Sequence, residues 1–147
     1  MNFDIVEASW RDLGGVRRVE AECFGSDAWP LLDILAVLSL PGVVRFKATV
    51  GAEIVGFAGG EIRGSEHMGW ITTIGVVSAY RRRGIAAALL AKCEAKLATP
   101  KVRLCVRQSN LEALFLYWKF GYHQVNVWKR YYRGGEDALV MEKDLIK

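Results

Sequence analysis

The run Tyr80-Arg81-Arg82-Arg83-Gly84-Ile85-Ala86-Ala87-Ala88-Leu89-Leu90 concentrates the chemistry of this chain. A basic, glycine-containing turn leads straight into an Ala/Leu helix, and a junction of that kind holds phosphate. The first N–H groups of a helix have no partner within it, and with the helix dipole they favour an anion placed before the first turn. Gly84 lets the backbone come close, and Arg81, Arg82 and Arg83 add charge and forked donors. Upstream, Trp70-Ile71-Thr72-Thr73-Ile74-Gly75-Val76-Val77 is apolar and β-branched, so the order is strand, turn, helix. Neither a Gly-Lys-Ser/Thr P-loop nor a Gly-x-Gly-x-x-Gly fingerprint is present here, which argues against nucleoside triphosphate hydrolysis and a Rossmann site. The plain alternative is a solvated arginine run before an ordinary helix.

Arg81-x-x-Gly84-x-Ala86 after such a strand resembles the Arg/Gln-x-x-Gly-x-Gly/Ala motif of the GNAT-fold N-acetyltransferases, whose turn holds the pyrophosphate of acetyl-CoA. A longer series sharpens the match: Leu104-Cys105-Val106-Arg107-Gln108-Ser109-Asn110, the stretch from Ala113 to Tyr122, Arg130-Tyr131-Tyr132, and Glu136 to Met141. It resembles the RimI-type branch, the ribosomal-protein alanine and other protein N-terminal acetyltransferases. Coverage is good from about Ile54 to Leu145 and weak before it.

The resemblance implies an α/β fold with a central, mostly antiparallel sheet of about seven strands, splayed between the fourth and fifth and flanked by about four helices. The acetyl-pantetheine arm would lie in that gap, against backbone donors of Ile74, Gly75 and Val76, which polarise the thioester carbonyl as an oxyanion hole does. Arg81, Arg82, Arg83, Gly84, Ile85 and Ala86 would hold the phosphates, and Asn110 would contact the same co-substrate. Tyr117 occupies the place of the family's general acid, with its hydroxyl near the CoA sulfur. Tyr131 and Tyr132 would grip a peptide N-terminus, with Asp27 as an acidic contact on the acceptor side. The residues also admit plainer readings. Tyr117 has core spacing with Leu114 and Phe120, Asn110 is a helix-cap candidate, Gly75 could mark a bulge, and the tyrosine pair could be an exposed loop feature.

The chain departs from the family at the base. RimI-type enzymes carry a glutamate in Leu-Glu-Val-Arg, and here that position is Cys105; a related branch has a tyrosine where this chain has Trp70. A thiol beside an arginine can ionise, but a cysteine on an apolar strand is ordinarily small core filling. Asp27, Glu22 and His67 are the substitutes, each acting through water. A missing strong base bears on the acceptor. An α-amine of pKa near 8 is about a quarter neutral at pH 7.5 and a lysine about one part in a thousand, a difference of about 3 kcal/mol. An N-terminal α-amine is therefore the expected acceptor, by direct transfer within a ternary complex. A lysine or small-molecule amine is the alternative, and a non-catalytic CoA-binding module is the reading from another class.

Around these residues, apolar segments alternate with turn signals without repeats or linkers. The pattern predicts strands at about 3–8, 43–50, 53–62, 68–77, 101–107, 121–128 and 137–145, and helices at about 12–24, 30–40, 84–98 and 110–120. Asp12 is the expected N-cap of the first helix, Ser109 and Glu112 have capping-box spacing before the last, and Gly121 suits a left-handed cap after it. With 147 residues, 52% of them hydrophobic, the chain suits one domain over residues 1–147. Cys23, Cys93 and Cys105 are widely spaced and there are two histidines, so neither a disulfide framework nor a metal site is expected. The opening residues lack a basic and apolar leader and no run of about 18 apolar residues occurs, which argues for a cytoplasmic protein without a membrane partner. The net charge of +4 gathers near 81–83 and 129–133, which fits local anion handling better than nucleic-acid binding.

Overall fold

The protein is described by a computed structural model covering residues 2–64 and 67–145. The strands are β1 (Asp4–Glu7), β2 (Val43–Val50), β3 (Glu53–Arg63), β4 (Met68–Val76), β5 (Lys101–Arg107), β6 (His123–Trp128) and β7 (Ala138–Asp144). The helices are α1 (Leu13–Phe24), α2 (Leu31–Ser39), α3 (Ile85–Leu97) and α4 (Leu111–Lys119). The seven strands form one sheet in the order β1-β2-β3-β4-β5-β7-β6. Every neighbouring pair is antiparallel except β4 and β5. This is the expected α/β architecture of a mixed sheet flanked by four helices.

Helix α3 covers one face of the sheet and α1 with α2 the other. Added Cβ atoms on Gly56 and Gly60 would meet Leu89 and Leu97 of α3, whereas those on Gly59 and Gly75 would meet Val37 of α2 and Cys23 of α1. The fully buried side chains Val16, Val19, Leu38, Val55, Leu89, Leu90 and Val102 fill both layers.

The β4–β5 ladder holds only three pairs, Gly69 with Val102, Trp70 with Arg103 and Ile71 with Leu104. Just beyond it the β3–β4 register slips between Gly59 and Gly60, which pair with Thr73 and Ile71 and leave Thr72 unmatched. An extra residue on one strand bends that strand and increases its twist, so β4 leans away from β5 from this point onward. Thr72 turns its hydroxyl to the Gly59 carbonyl at 3.2 Å.

Two expected caps are corrected. The Asp12 carboxylate makes no cap hydrogen bond to α1; it accepts the Ser9 N–H at 2.8 Å and pairs with Lys47 Nζ at 2.7 Å. At α4 the cap is Asn110, whose Oδ1 accepts the Ala113 N–H at 3.2 Å, and the Ser109 N–H is bonded to Glu136 Oε2 at 2.6 Å. Gly121 does take a positive φ of 103°. Its N–H reaches the Trp118 carbonyl and the Tyr122 N–H reaches Tyr117, which closes the end of α4.

Candidate functional site

A cavity of about 1060 Å³ fills the space between the parted ends of β4 and β5. Its floor is strand backbone, and one end is the turn into α3. There Gly84 has φ 82° and precedes the helix without any side-chain cap, so the first N–H groups of α3 are left for a ligand. Arg82 is also left-handed, with φ 63°. A non-glycine residue held in that region signals a backbone set by its surroundings. Arg81 folds back to donate from Nε to the Val76 carbonyl at 2.9 Å, which fixes the turn against the end of β4.

Ile74, Gly75, Val76, Arg81, Arg82, Gly84, Ile85, Ala86, Asn110 and Tyr117, all expected at the co-substrate, line this one cavity. Arg83 is not in its wall and lies over the Tyr80 ring at 5.5 Å. A phosphate-bearing thioester fits the residues present: unpartnered helix N–H groups and two arginines at one end, a narrow apolar slot between strands at the other. Gly75 is glycine for a further reason. A Cβ there would stand 2.9 Å from Cys23 Sγ and 3.1 Å from Cys23 Cβ. The register slip lies elsewhere on β4, so Gly75 marks the close packing of α1 and not a bulge.

Tyr117 is 7% exposed, with its ring edge-on to Tyr122 at 6.0 Å. Burial pushes its phenol well above the ordinary value, so it is protonated at neutral pH and able to donate. It packs in the core and also lines the cavity.

Of the residues expected to meet the acceptor, Asp27 and Tyr132 line both the main cavity and a second one of about 520 Å³, and Tyr131 lines the second alone. Trp70, Trp128, Tyr131 and Tyr132 form a continuous aromatic row, with successive ring centroids 5.7, 5.4 and 5.0 Å apart. Arg107, at the end of β5, ties the surrounding segments together. Its Nε and Nη2 donate to Asp27 Oδ2, its Nη1 donates to Glu136 Oε1 at 2.9 Å, and its guanidinium lies over the Tyr132 ring at 4.5 Å.

The expected substitutes for the base are engaged by other groups or stand outside the cavity. Asp27 spends its carboxylate on Arg107. Glu22 accepts the Ser78 N–H at 2.8 Å and lines neither cavity. His67 lies on the turn into β4, also outside both cavity walls. Burial pushes the Cys105 thiol up to about 11, against a smaller opposing pull from Arg63, so at neutral pH it is an un-ionised filler in the wall. Glu136, named above within the motif, is bonded to Ser109 and Arg107, which hold its carboxyl below the ordinary value.

One charged residue of the cavity wall escaped the sequence reading. Glu20 on α1 is 2% exposed, lines the main cavity and accepts the Thr73 hydroxyl at 2.7 Å. A signal was present: Val16, Val19 and Glu20 fall on one helical face, which places a carboxylate in an apolar stripe.

The family model described as the Acetyltransferase (GNAT) family matches residues 9–122. The chain is 36% identical over 132 residues to the N-alpha-acetyltransferase RimI of Mycobacterium tuberculosis, covering 86% of this chain and 82% of that protein. It is 34% identical over 116 residues to the N-terminal acetyltransferase A complex catalytic subunit NAA10 of Arabidopsis thaliana, covering 74% and 60%. Among solved structures it resembles the ribosomal-protein-S18-alanine N-acetyltransferase from Escherichia coli, with TM-score 0.87, 22% identity and coverage of 99% and 96%. It also resembles Ard1 from Thermoplasma volcanium, with TM-score 0.84, 26% identity and full coverage of both chains.

Proposed function

Because this chain belongs to the GNAT acetyltransferase family, we propose that it transfers the acetyl group of acetyl-CoA to the N-terminal α-amine of a protein or peptide. The single observation that carries the reading is the cavity between β4 and β5. A phosphate-ready turn closes one end, Tyr117 stands in its wall, and the Tyr132 side opens to the acceptor. Relatives named as N-alpha-acetyltransferases support the choice of acceptor.

In this reading the turn from Arg81 to Ala86 holds the phosphates of the co-substrate, which supplies the activated acyl group. Backbone N–H groups of Ile74 and Val76 orient the thioester; the Gly75 N–H, opposite Phe57 in a hydrogen-bonded pair of the antiparallel ladder, is taken up by β3, which corrects the expectation for that residue. Asn110 both caps α4 and faces the same cavity. Tyr117 protonates the departing sulfur; the desolvation that raises its own phenol raises the thiol's affinity for a proton as well. Tyr131 and Tyr132 flank the incoming peptide, and Asp27 sets its approach through Arg107. Residues 1–147 act as one catalytic unit. A reducing, cytoplasmic setting suits the three free thiols, and no helix among the described residues is long and apolar enough to cross a membrane.

The test is CoA release from acetyl-CoA with short peptides of differing first residue, each supplied with a free or a blocked N-terminus and with or without a lysine. Turnover confined to free N-termini is the expected result. Turnover that survives N-terminal blocking and requires lysine, or that occurs with small amines alone, replaces this acceptor. CoA binding with no turnover on any amine leaves a binding module.

A further inference from the structure

One carboxylate of the cavity wall has no assignment in the account above. Glu20 sits on the inner row of α1, with Oε1 bonded to the Thr73 hydroxyl and the Trp29 backbone N–H facing the carboxylate. Its Oε2 is buried and makes no hydrogen bond among the described residues. An unpaired buried acceptor carries the full desolvation cost of the group, and a charged one carries more. Glu20 lines the cavity, so this buried atom lies just behind the cavity wall and calls for a partner that arrives with the reactants.

The geometry puts Glu20 on the side from which an amine approaches. Thr73, Cys23, Asp27 and Arg107 belong to the α1 face of the sheet. Tyr117 packs against Tyr122, whose hydroxyl bonds Glu94 of α3, and so belongs to the opposite face. The slot between β4 and β5 therefore has a proton donor on one side and a buried carboxylate on the other. The other acidic groups of the acceptor side, Asp27 and Glu136, are held by Arg107, and β5 offers a thiol at position 105.

We propose that Glu20 is the proton acceptor for the incoming amine, reached through a water molecule bonded to its free Oε2. The inference rests on acyl transfer to an amine, whichever amine that is. An ammonium group gives one proton through the water to Glu20 and becomes a nucleophile. The amine nitrogen then bonds to the acyl carbon as the carbon–sulfur bond breaks. Tyr117 gives its proton to the sulfur and is restored by the second proton leaving nitrogen, and Glu20 returns its own proton to solvent, so one proton is released per amide formed. Burial holds the Glu20 carboxyl above its ordinary value, only partly offset by Thr73 and Trp29, which makes it a stronger base than a surface carboxylate. Of the titratable groups nearby, Cys23 on the same helix feels the Glu20 charge and is itself acted on by Glu22 and by Arg81 of the turn beyond β4, while Asp27 and Arg107 line the same cavity and hold each other. The α2 and β3 side chains in the same core, Ile34, Leu38 and Phe57, are apolar.

The experiment measures kcat/KM from pH 6 to 10 for the full chain, Glu20→Gln and Glu20→Asp, with whichever amine of the panel the parent acetylates best. Failure of the N-terminal reading then shows in the choice of acceptor, and failure of this inference in the pH profile. Glu20→Gln is expected to lose at least tenfold at pH 7 and to recover toward the parent near pH 10, where solvent deprotonates the amine; Glu20→Asp keeps part of the low-pH rate. A loss that is the same at every pH, or no loss, overturns the assignment. If the parent acetylates no amine, carboxyl 13C NMR decides. With CoA and a free-amine peptide added, the Glu20 titration midpoint is expected to fall by at least half a unit as the ammonium comes near, and an unmoved midpoint overturns the proposal.

Discussion

In the proposed function Tyr117 satisfies a core and a reaction with one side chain. Its ring completes an edge-on pair with Tyr122 while its phenol faces the cavity, so phenylalanine keeps the packing and removes only the proton. General acid groups contribute on the order of 10²–10⁴ in rate. Steady-state kinetics of Tyr117→Phe are expected to show kcat down at least tenfold with acceptor KM within about threefold; a shifted melting temperature with unchanged kcat leaves Tyr117 as core only. At this scale the sequence was readable wherever a role is local. The turn from Arg81 to Ala86 and the Tyr131-Tyr132 pair are contiguous, so each could be picked out as one feature of the sequence. Asp27 and Arg107 lie 80 positions apart, and nothing near either announces that each occupies the other. Glu20 stayed hidden because glutamate in a helix normally faces water, and only its row with Val16 and Val19 says otherwise.

The elements themselves were legible almost to the residue, since each carries its own period and its own turn signals. What could not be read was how closely they approach. Gly75 is the instance: its backbone tolerates a side chain, but a Cβ would press into Cys23 at 2.9 Å. Gly75→Ala therefore pushes the end of α1 off β4 and is expected to destabilise the fold by about 1–3 kcal/mol, with weaker CoA binding. Adding Cys23→Ala should restore most of both, as read by thermal melts and CoA titration. If stability returns and CoA affinity does not, the missing Cβ serves the ligand directly. The cap of α4 makes the same point on a finer scale. Ser109 and Asn110 are both capping residues; Asn110 is the one that caps, while the Ser109 N–H is taken by Glu136, distant in sequence.

Over the whole molecule, ion pairs fasten the strands around β5. Glu142 is buried beside Arg103 at 2.8 Å and Lys101 at 3.3 Å; burial alone raises its carboxyl, and these two partners reverse the sign and hold it below the ordinary value. Glu136 and Asp137 are likewise lowered, by Ser109 with Arg107 and by Arg130 with Lys129. A carboxylate with a lowered folded value adds stability that is present above its unfolded value and lost as pH falls through the folded one. Melting temperature is therefore expected to hold at neutral pH and drop once pH falls below about 4.5, with a shallower acid slope in Glu142→Gln. Glu20, with its raised carboxyl, works in the opposite sense and favours the fold where it is protonated. The fold class and the parting of the fourth and fifth strands were legible because the motif series spans most of the strands, whereas the pairing of charges across β5, β7 and the 129–137 loop is set only by the finished fold. The aromatic row from Trp70 through Trp128 to Tyr132 has a practical consequence. Two stacked indoles border the second cavity, so the protein carries an intrinsic fluorophore on the side that the proposed function gives to the acceptor, and binding there can be followed by light without attaching a dye.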